Sequence, residues 1–392
     1  MKAHPFLTFI LLAAQALPLL AQTSPTIVWA TNAHDYIHSV AFSGDSTRLA
    51  SGAQDETAKV WNVTNRALLG TFSRNQAVMT AVALFSDGDT LLTGGGDGAA
   101  RVWSITTGGF LYGSSPNEDI VWTVSIATDG ANAIGKSNGR IDLSAPLGAF
   151  VLEGHSKDVY SVTFSPDSSM LASASDDGTA RIWRVSEGTT LHILTGHSTL
   201  STNEDETVFR TVWSVDFSPD GTLLATIGDD GTTQLWRVSD GTQVRILPSG
   251  ASYRSAVKFS ADGKRLYTLV NGIIKFWRVS DGELLTTFDG TSATCLAVAF
   301  DGKYFAYGRS DGALVLAYTP VIITSTNRTG LRTTLQWEGG SGYYQVERRR
   351  PTASARWQKV GRPTTATAAC VPGRPGFVYR VVSLPPKSVK RR

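Results

Sequence analysis

The chain has 392 residues, 42% of them hydrophobic and 18% charged, with 38 Gly, 10 Trp and only 2 Cys. A charged fraction below the ~25% of ordinary soluble domains, with so many aromatics, excludes general disorder, and two cysteines exclude a disulfide scaffold. The net charge of +3 hides an asymmetry: residues 1–318 hold 22 Lys+Arg and 31 Asp+Glu, a net −9, whereas 319–392 hold 14 and 2, a net +12.

The N-terminus opens with Lys2 and an apolar run from Phe6 to Ala21, interrupted by Gln15 and Pro18. This is the pattern of a secretory signal over residues 1–21, too short and broken for the ~20 apolar residues of a transmembrane helix. Cleavage is expected after Ala21. Leu19 is larger than the residue usual at that place, so an uncleaved N-terminal anchor is the alternative. The expectation is an exported protein: periplasmic, cell-surface or extracellular.

Past this segment one unit returns at intervals near 40 residues. Its clearest copy runs from Gly154 to Leu194, GHSKDVYSVTFSPDSSMLASASDDGTARIWRVSEGTTLHIL, and reads as four short strands. Val159 to Phe164 alternate as a half-buried strand, SPDSS turns, Met170 to Ser173 extend, DDG turns tightly, and ARIWRV and LHIL follow. Alignment on the tight turn and the position six residues after its Asp or Asn gives Trp61, Trp103, Ser144, Trp183, Trp236, Trp277 and Ala317. These are seven copies spaced by 39 to 42 residues, except between Trp183 and Trp236, where residues 198–210 are inserted.

These units resemble the WD-repeat family over roughly residues 26–318. The resemblance rests on Gly154-His155 and Gly196-His197, the FSPD turns at 164–167 and 217–220, and the Asp-Gly turns before Trp103, Trp183 and Trp236. The Asp that often follows the family's Trp is replaced by Asn62, Ser104, Arg184, Arg237 and Arg278. The resemblance implies an all-β fold, a seven-bladed β-propeller of four-stranded blades. The last copy ends after its third strand, so residues 26–31 at the N-terminus are expected to supply the fourth and close blade seven. It also implies a buried polar set in a blade, for which His155, Ser173, Asp177, Trp183 and His197, Thr226, Asp230, Trp236 qualify. On paper they look like catalytic components; they are read as structural.

From residue 319 to 386 the repeat gives way to short strands that resemble a fibronectin type III domain, with Trp337 as core Trp and Tyr379 as corner Tyr. A small β-sandwich is therefore expected after the propeller, followed by a basic tail at 387–392. Arg348, Arg349, Arg350 and Arg356 give this end its charge. They suit an anionic polymer or membrane surface, the alternative being a solvated face.

No nucleophile, metal-ligand or phosphate-loop signature is present, and no cofactor, metal or nucleic-acid partner is expected. Function then falls to binding. Propellers bind through a rim where inner strands begin, and the aligned residues there are His38, Thr80, Trp122, Tyr160, Trp213, Ser255 and Leu296. Trp122, Tyr160 and Trp213 are large aromatics on consecutive blades, a composition enriched at binding hot spots. Asp176, Asp229 and the inserted Glu204, Asp205 and Glu206 border them. The alternative is inter-blade packing, because Tyr160 shares strand parity with Val162 and Phe164. The expected function is an exported, non-enzymatic scaffold binding a protein partner at this rim. The alternatives are an enzyme or small-ligand binder using the central channel, or an envelope adhesion protein using the basic end.

Overall fold

The computed structural model describes residues 25–73, 77–146, 148–200, 207–329, 332–338, 344–349, 356, 358–364, 368–372 and 378–383. The expected signal segment, Glu204 to Glu206, Arg350 and the basic tail lie outside them.

Each repeat folds as a four-stranded antiparallel meander, and there are seven. Blades one to six run Ile37–Phe72, Met79–Gly113, Val121–Leu152, Val159–Leu194, Val212–Leu247 and Ala256–Asp289. The first strand of each blade packs against the first strands of both neighbours, and the contacts of the seventh return to the first, so the ring is closed.

Blade seven takes three strands from Ala293–Tyr318 and its outer strand from Ile27–Asn32, which pairs antiparallel with Ala313–Tyr318. Trp29 sits opposite Leu316, is buried, and donates its indole N–H to Val63 O at 2.9 Å, tying the closing strand to blade one. Ala33 and His34 donate backbone N–H groups to Gly312 O. Gly312 has φ +79°, and a Cβ there would meet the His34 carbonyl at 1.6 Å, so only glycine fits the seam.

Alternation explains the packing. In blade four Leu171, Ser173 and Trp183 face blade three, while Ala172, Ala174 and Ile182 face blade five, and each face joins a separate core cluster. Trp61, Trp103, Trp183, Trp236 and Trp277 are buried, each with its indole N–H on a Ser or Thr hydroxyl of the adjacent strand: Ser51, Thr93, Ser173, Thr226 and Thr268. The two repeats without Trp solve the loss differently. Around Ala317, Tyr267, Phe276, Phe288, Phe305 and Tyr307 interlock edge to face and fill the space. Beside Ser144 the space stays open as a surface groove of about 240 Å³ lined by Asn132, Ile134 and Val151.

The insertion forms a hairpin, Ser198–Leu200 paired with Thr207–Phe209. The described residues between 321 and 383 carry six strands in two three-stranded antiparallel sheets, with Val321, Leu335, Trp337, Val346 and Val381 in one small cluster of buried side chains. Cys295 is a free, buried thiol whose burial pushes its pKa up to about 12.

Candidate functional site

Six of the seven innermost strands carry a register shift one residue after they begin, at Ile37/Ser39, Met79/Ala81, Val121/Thr123, Val159/Ser161, Val212/Ser214 and Ala293/Cys295. The bulged residues are His38, Thr80, Trp122, Tyr160, Trp213 and Thr294. A bulge leaves one residue out of the ladder and re-aims its side chain, so strand parity does not apply to it. Tyr160 is thereby separated from the core-facing series of Val162 and Phe164.

Blade seven corrects the alignment. Its bulged residue is Thr294, not Leu296, which pairs with Tyr307 inside the ladder and is buried. The error comes from Phe300, which matches the strand-ending Phe of other repeats by spacing. In the structure Ala299 N–H bonds Tyr304 O as Ser165 N–H bonds Met170 O, so Phe300 holds the turn position of Pro166 and is 67% exposed.

The rim aromatics form one run. Trp122 meets Tyr160 edge-on with ring centroids 5.6 Å apart, Tyr160 stacks on Trp213 at 4.6 Å, and Trp213 meets Tyr253 edge-on at 6.4 Å. Tyr253, from the loop entering blade six, is 84% exposed and extends the run to a fourth blade. Spacing could not supply it, because that loop lacks the Gly-His found before blades four and five.

Charges flank the run. Trp122 Nε1 donates to Asp158 Oδ2 at 2.8 Å, and Thr211 Oγ1 donates to Asp176 Oδ1 at 2.6 Å. Burial, with the Asp158 and Asp176 charges adding to it, pushes the Tyr160 phenol up to about 12. Burial raises the Asp229 carboxyl above its ordinary value against the opposing pull of Arg210, and Asp229 Oδ1 is buried with no hydrogen-bond partner among the described residues. Beside Tyr253, between blades six and seven, lies a polar groove of about 240 Å³ bordered by Tyr36, Arg254, Asn271 and Ser292.

The polar sets are buried between blades, next to the turns that border the run. His155 Nδ1 faces Asp177 Oδ2 at 2.8 Å and must donate, so Nε2 accepts from Ser173 Oγ at 2.7 Å, and Ser173 in turn accepts from Trp183 Nε1 at 2.8 Å. His197, Thr226, Asp230 and Trp236 repeat the chain, with His197 Nε2 2.7 Å from Thr226 Oγ1 and Trp236 Nε1 2.9 Å from the same oxygen. Ser173 and Thr226 have no exposed surface, so neither hydroxyl can reach a substrate. A third set, His34, Ser51, Asp55 and Trp61, was not evident from sequence because Ala33 replaces the Gly before the His. Arg356 is exposed. Among the described residues no three His, Cys, Asp or Glu side chains converge as a metal site would require.

The geometry defines a class, a closed seven-bladed propeller of four-stranded repeats, and comparison with known proteins gives the repeat type. The family model described as WD domain, G-beta repeat, matches residues 25–62, 66–104, 149–184 and 188–237. The chain carries WD repeats in a seven-bladed propeller.

Among curated proteins it is similar to the mouse F-box-like/WD repeat-containing protein TBL1X, 34% identical over 159 residues, covering 39% of this chain and 30% of that protein. It is also similar to eukaryotic translation initiation factor 3 subunit I of Candida albicans, 28% identical over 41% of this chain and 48% of the relative. The same subunit of Scheffersomyces stipitis is 29% identical over 46% and 55%. The chain thus spans a third to about half the length of these relatives. The expectation of export is corrected by them: an F-box-like protein and subunits of a translation initiation factor are proteins of the cell interior, and the likeness points away from secretion.

Proposed function

We propose that the protein is a non-enzymatic scaffold that holds a protein partner on the rim where the innermost strands begin, through Trp122, Tyr160 and Trp213, with Tyr253 extending the contact. The observation that carries this reading is the unbroken run of four aromatic rings across four blades, ending in a tyrosine 84% exposed. Tyr253 leaves most of its ring exposed at the end of the run, and Trp and Tyr supply large contact area at small entropic cost. Asp176 and Asp229 border the contact. The relatives add support, since two of the three named above are subunits of a larger factor.

We infer further that residues 319–386 are a fibronectin type III-like sandwich, with Arg348, Arg349, Arg350 and Arg356 as a second, anion-facing contact. The test of the main reading is affinity capture with the full chain beside its Trp122→Ala/Tyr160→Ala/Trp213→Ala variant, with mass spectrometry of what is retained and thermal melting as the folding control. A protein held by the wild type and lost by the folded variant supports the rim. Equal capture by both rejects it.

A further inference from the structure

Two of the three carboxylates on the acidic side of the rim are partnered within the protein, and the third, Asp229, is held above its ordinary pKa by burial. Asp158 accepts the Trp122 N–H, Asp176 accepts from Thr211 and pairs with Lys157 at 3.3 Å, and Asp229 lies in the field of Arg210.

Arg254 is the opposite case. It is exposed, no carboxylate pairs with it among the described residues, and its guanidinium instead donates to His38 Nδ1 in blade one at 3.0 Å. That acceptor is neutral. His38 Nε2 faces the Gln54 amide oxygen at 2.9 Å, which can only accept, so Nε2 carries the proton and Nδ1 offers its lone pair. Burial first, and then the Arg254 charge, hold the His38 pKa below its ordinary value against the Gln54 bond. The guanidinium is therefore positioned without being neutralised.

Its reach is central. His38 and Tyr160 are the bulged residues of blades one and four, and the Arg254 charge is felt at the Tyr160 phenol while its side chain touches His38. The backbone is held too. Arg254 has φ +62°, and Asn271, Thr291 and Ser292 nearby have φ +50°, +41° and +64°. Non-glycine residues, β-branched ones above all, adopt this region only where their surroundings enforce it, and such positions cluster at sites of recognition.

Resting on the rim reading, we propose that Arg254 is the anchor for an acidic side chain, Asp or Glu, of a protein segment lying along Trp213 and Tyr253. The match is one of charge: a fixed planar donor without a carboxylate recognises one in bidentate fashion, and the neighbouring rings take the apolar flank of the same segment.

A random-peptide display library selected against the full chain tests this, with Arg254→Gln, Arg254→Glu, Arg254→Lys and the triple aromatic variant in parallel. The expectation is that wild type enriches Asp and Glu and that a selected peptide binds the folded Arg254→Gln protein at least about tenfold more weakly, the scale of a hydrogen bond to a charged group. Arg254→Lys is expected to be intermediate, and Arg254→Glu to select Lys and Arg instead. Peptides that need the three aromatics but show no acidic preference, or acidic peptides that bind Arg254→Glu unchanged, would overturn the anchor and leave the rim standing. Selected peptides that all survive in the triple variant would overturn both.

Discussion

Trp122 of blade three gives its indole N–H to Asp158 of blade four at 2.8 Å, whereas the matching N–H on Trp213 of blade five is buried without a partner among the described residues. The reason is one position. Asp158 stands two residues before its blade's rim residue, and the same place in blade six is Tyr253, which meets Trp213 with its ring and not with a carboxylate.

This pair predicts unequal responses to one substitution. Trp122→Phe removes a bond to a charged acceptor and strands Asp158, while Trp213→Phe removes a donor that bonds nothing. The first should cost about 1 kcal/mol or more beyond the second in urea unfolding. Equal costs would show that the Asp158 bond contributes little.

Acid should weaken the propeller from the histidine range downward. Burial lowers the His34 and His155 pKa values below the ordinary 6.5, so the unfolded chain protonates first and stability is lost as pH falls below 6.5 through the folded values. Burial alone would raise Asp55 and Asp177, but their bonds to Thr57 and to the two imidazoles hold both carboxyls below the usual range. Their contribution is full above the unfolded carboxylate value and is lost at lower pH still. Melting temperature is expected to be flat from pH 6.5 to about 8, below the range in which the unfolded thiol and phenols ionise, and to fall below 6.5, with a shallower fall between 6.5 and roughly 5 in His155→Gln. A melting temperature that rises on acidification through this interval would contradict the neutral assignment.

The seam can be probed at two neighbouring residues. Trp29 is 9% exposed and bonded to Val63, whereas Ile27 is 51% exposed. Trp29→Ala should cost about 3–5 kcal/mol and Ile27→Ala far less, measured by denaturant unfolding. A Trp29→Ala protein as stable as wild type would mean that the ring stays closed without this strand.

Blade three can be returned to the common pattern. Ser144 stands where other blades bury Trp, and Ile134 where they place the hydroxyl that receives its N–H. Ser144→Trp alone would fill the groove beside Ile134 but bury an unmet donor. Adding Ile134→Ser should supply the acceptor, giving a favourable coupling of about 1 kcal/mol in a double-mutant cycle. Strict additivity would mean that the indole does not enter the groove.

The seven repeats are legible in the chain because Trp, tight turn and alternation recur at fixed spacing, and these fix strands, hairpins and which side of a blade each residue faces. Tyr160 shows where that logic ends. Alternation assigns it to the core series of Val162, but a bulge is a property of pairing between two strands and leaves no mark in one of them. Leu296 failed for a related reason: Phe300 keeps the spacing of a strand-ending Phe while occupying a turn. Tyr253 and Arg254 stood in a loop without repeat character, and the link from Arg254 to His38 joins residues 216 positions apart, a proximity that only ring closure creates.

The closing strand also sets an order of events. Trp29 leaves the ribosome long before Leu316, its cross-strand neighbour, so the first segment of the propeller to be synthesised must wait for nearly the last. Until then the incomplete ring exposes the apolar faces of its end blades, and the final pairing has the largest sequence separation among the described strands. Assembly of the last blade is therefore the step at which folding should be slowest and most open to misassociation between copies.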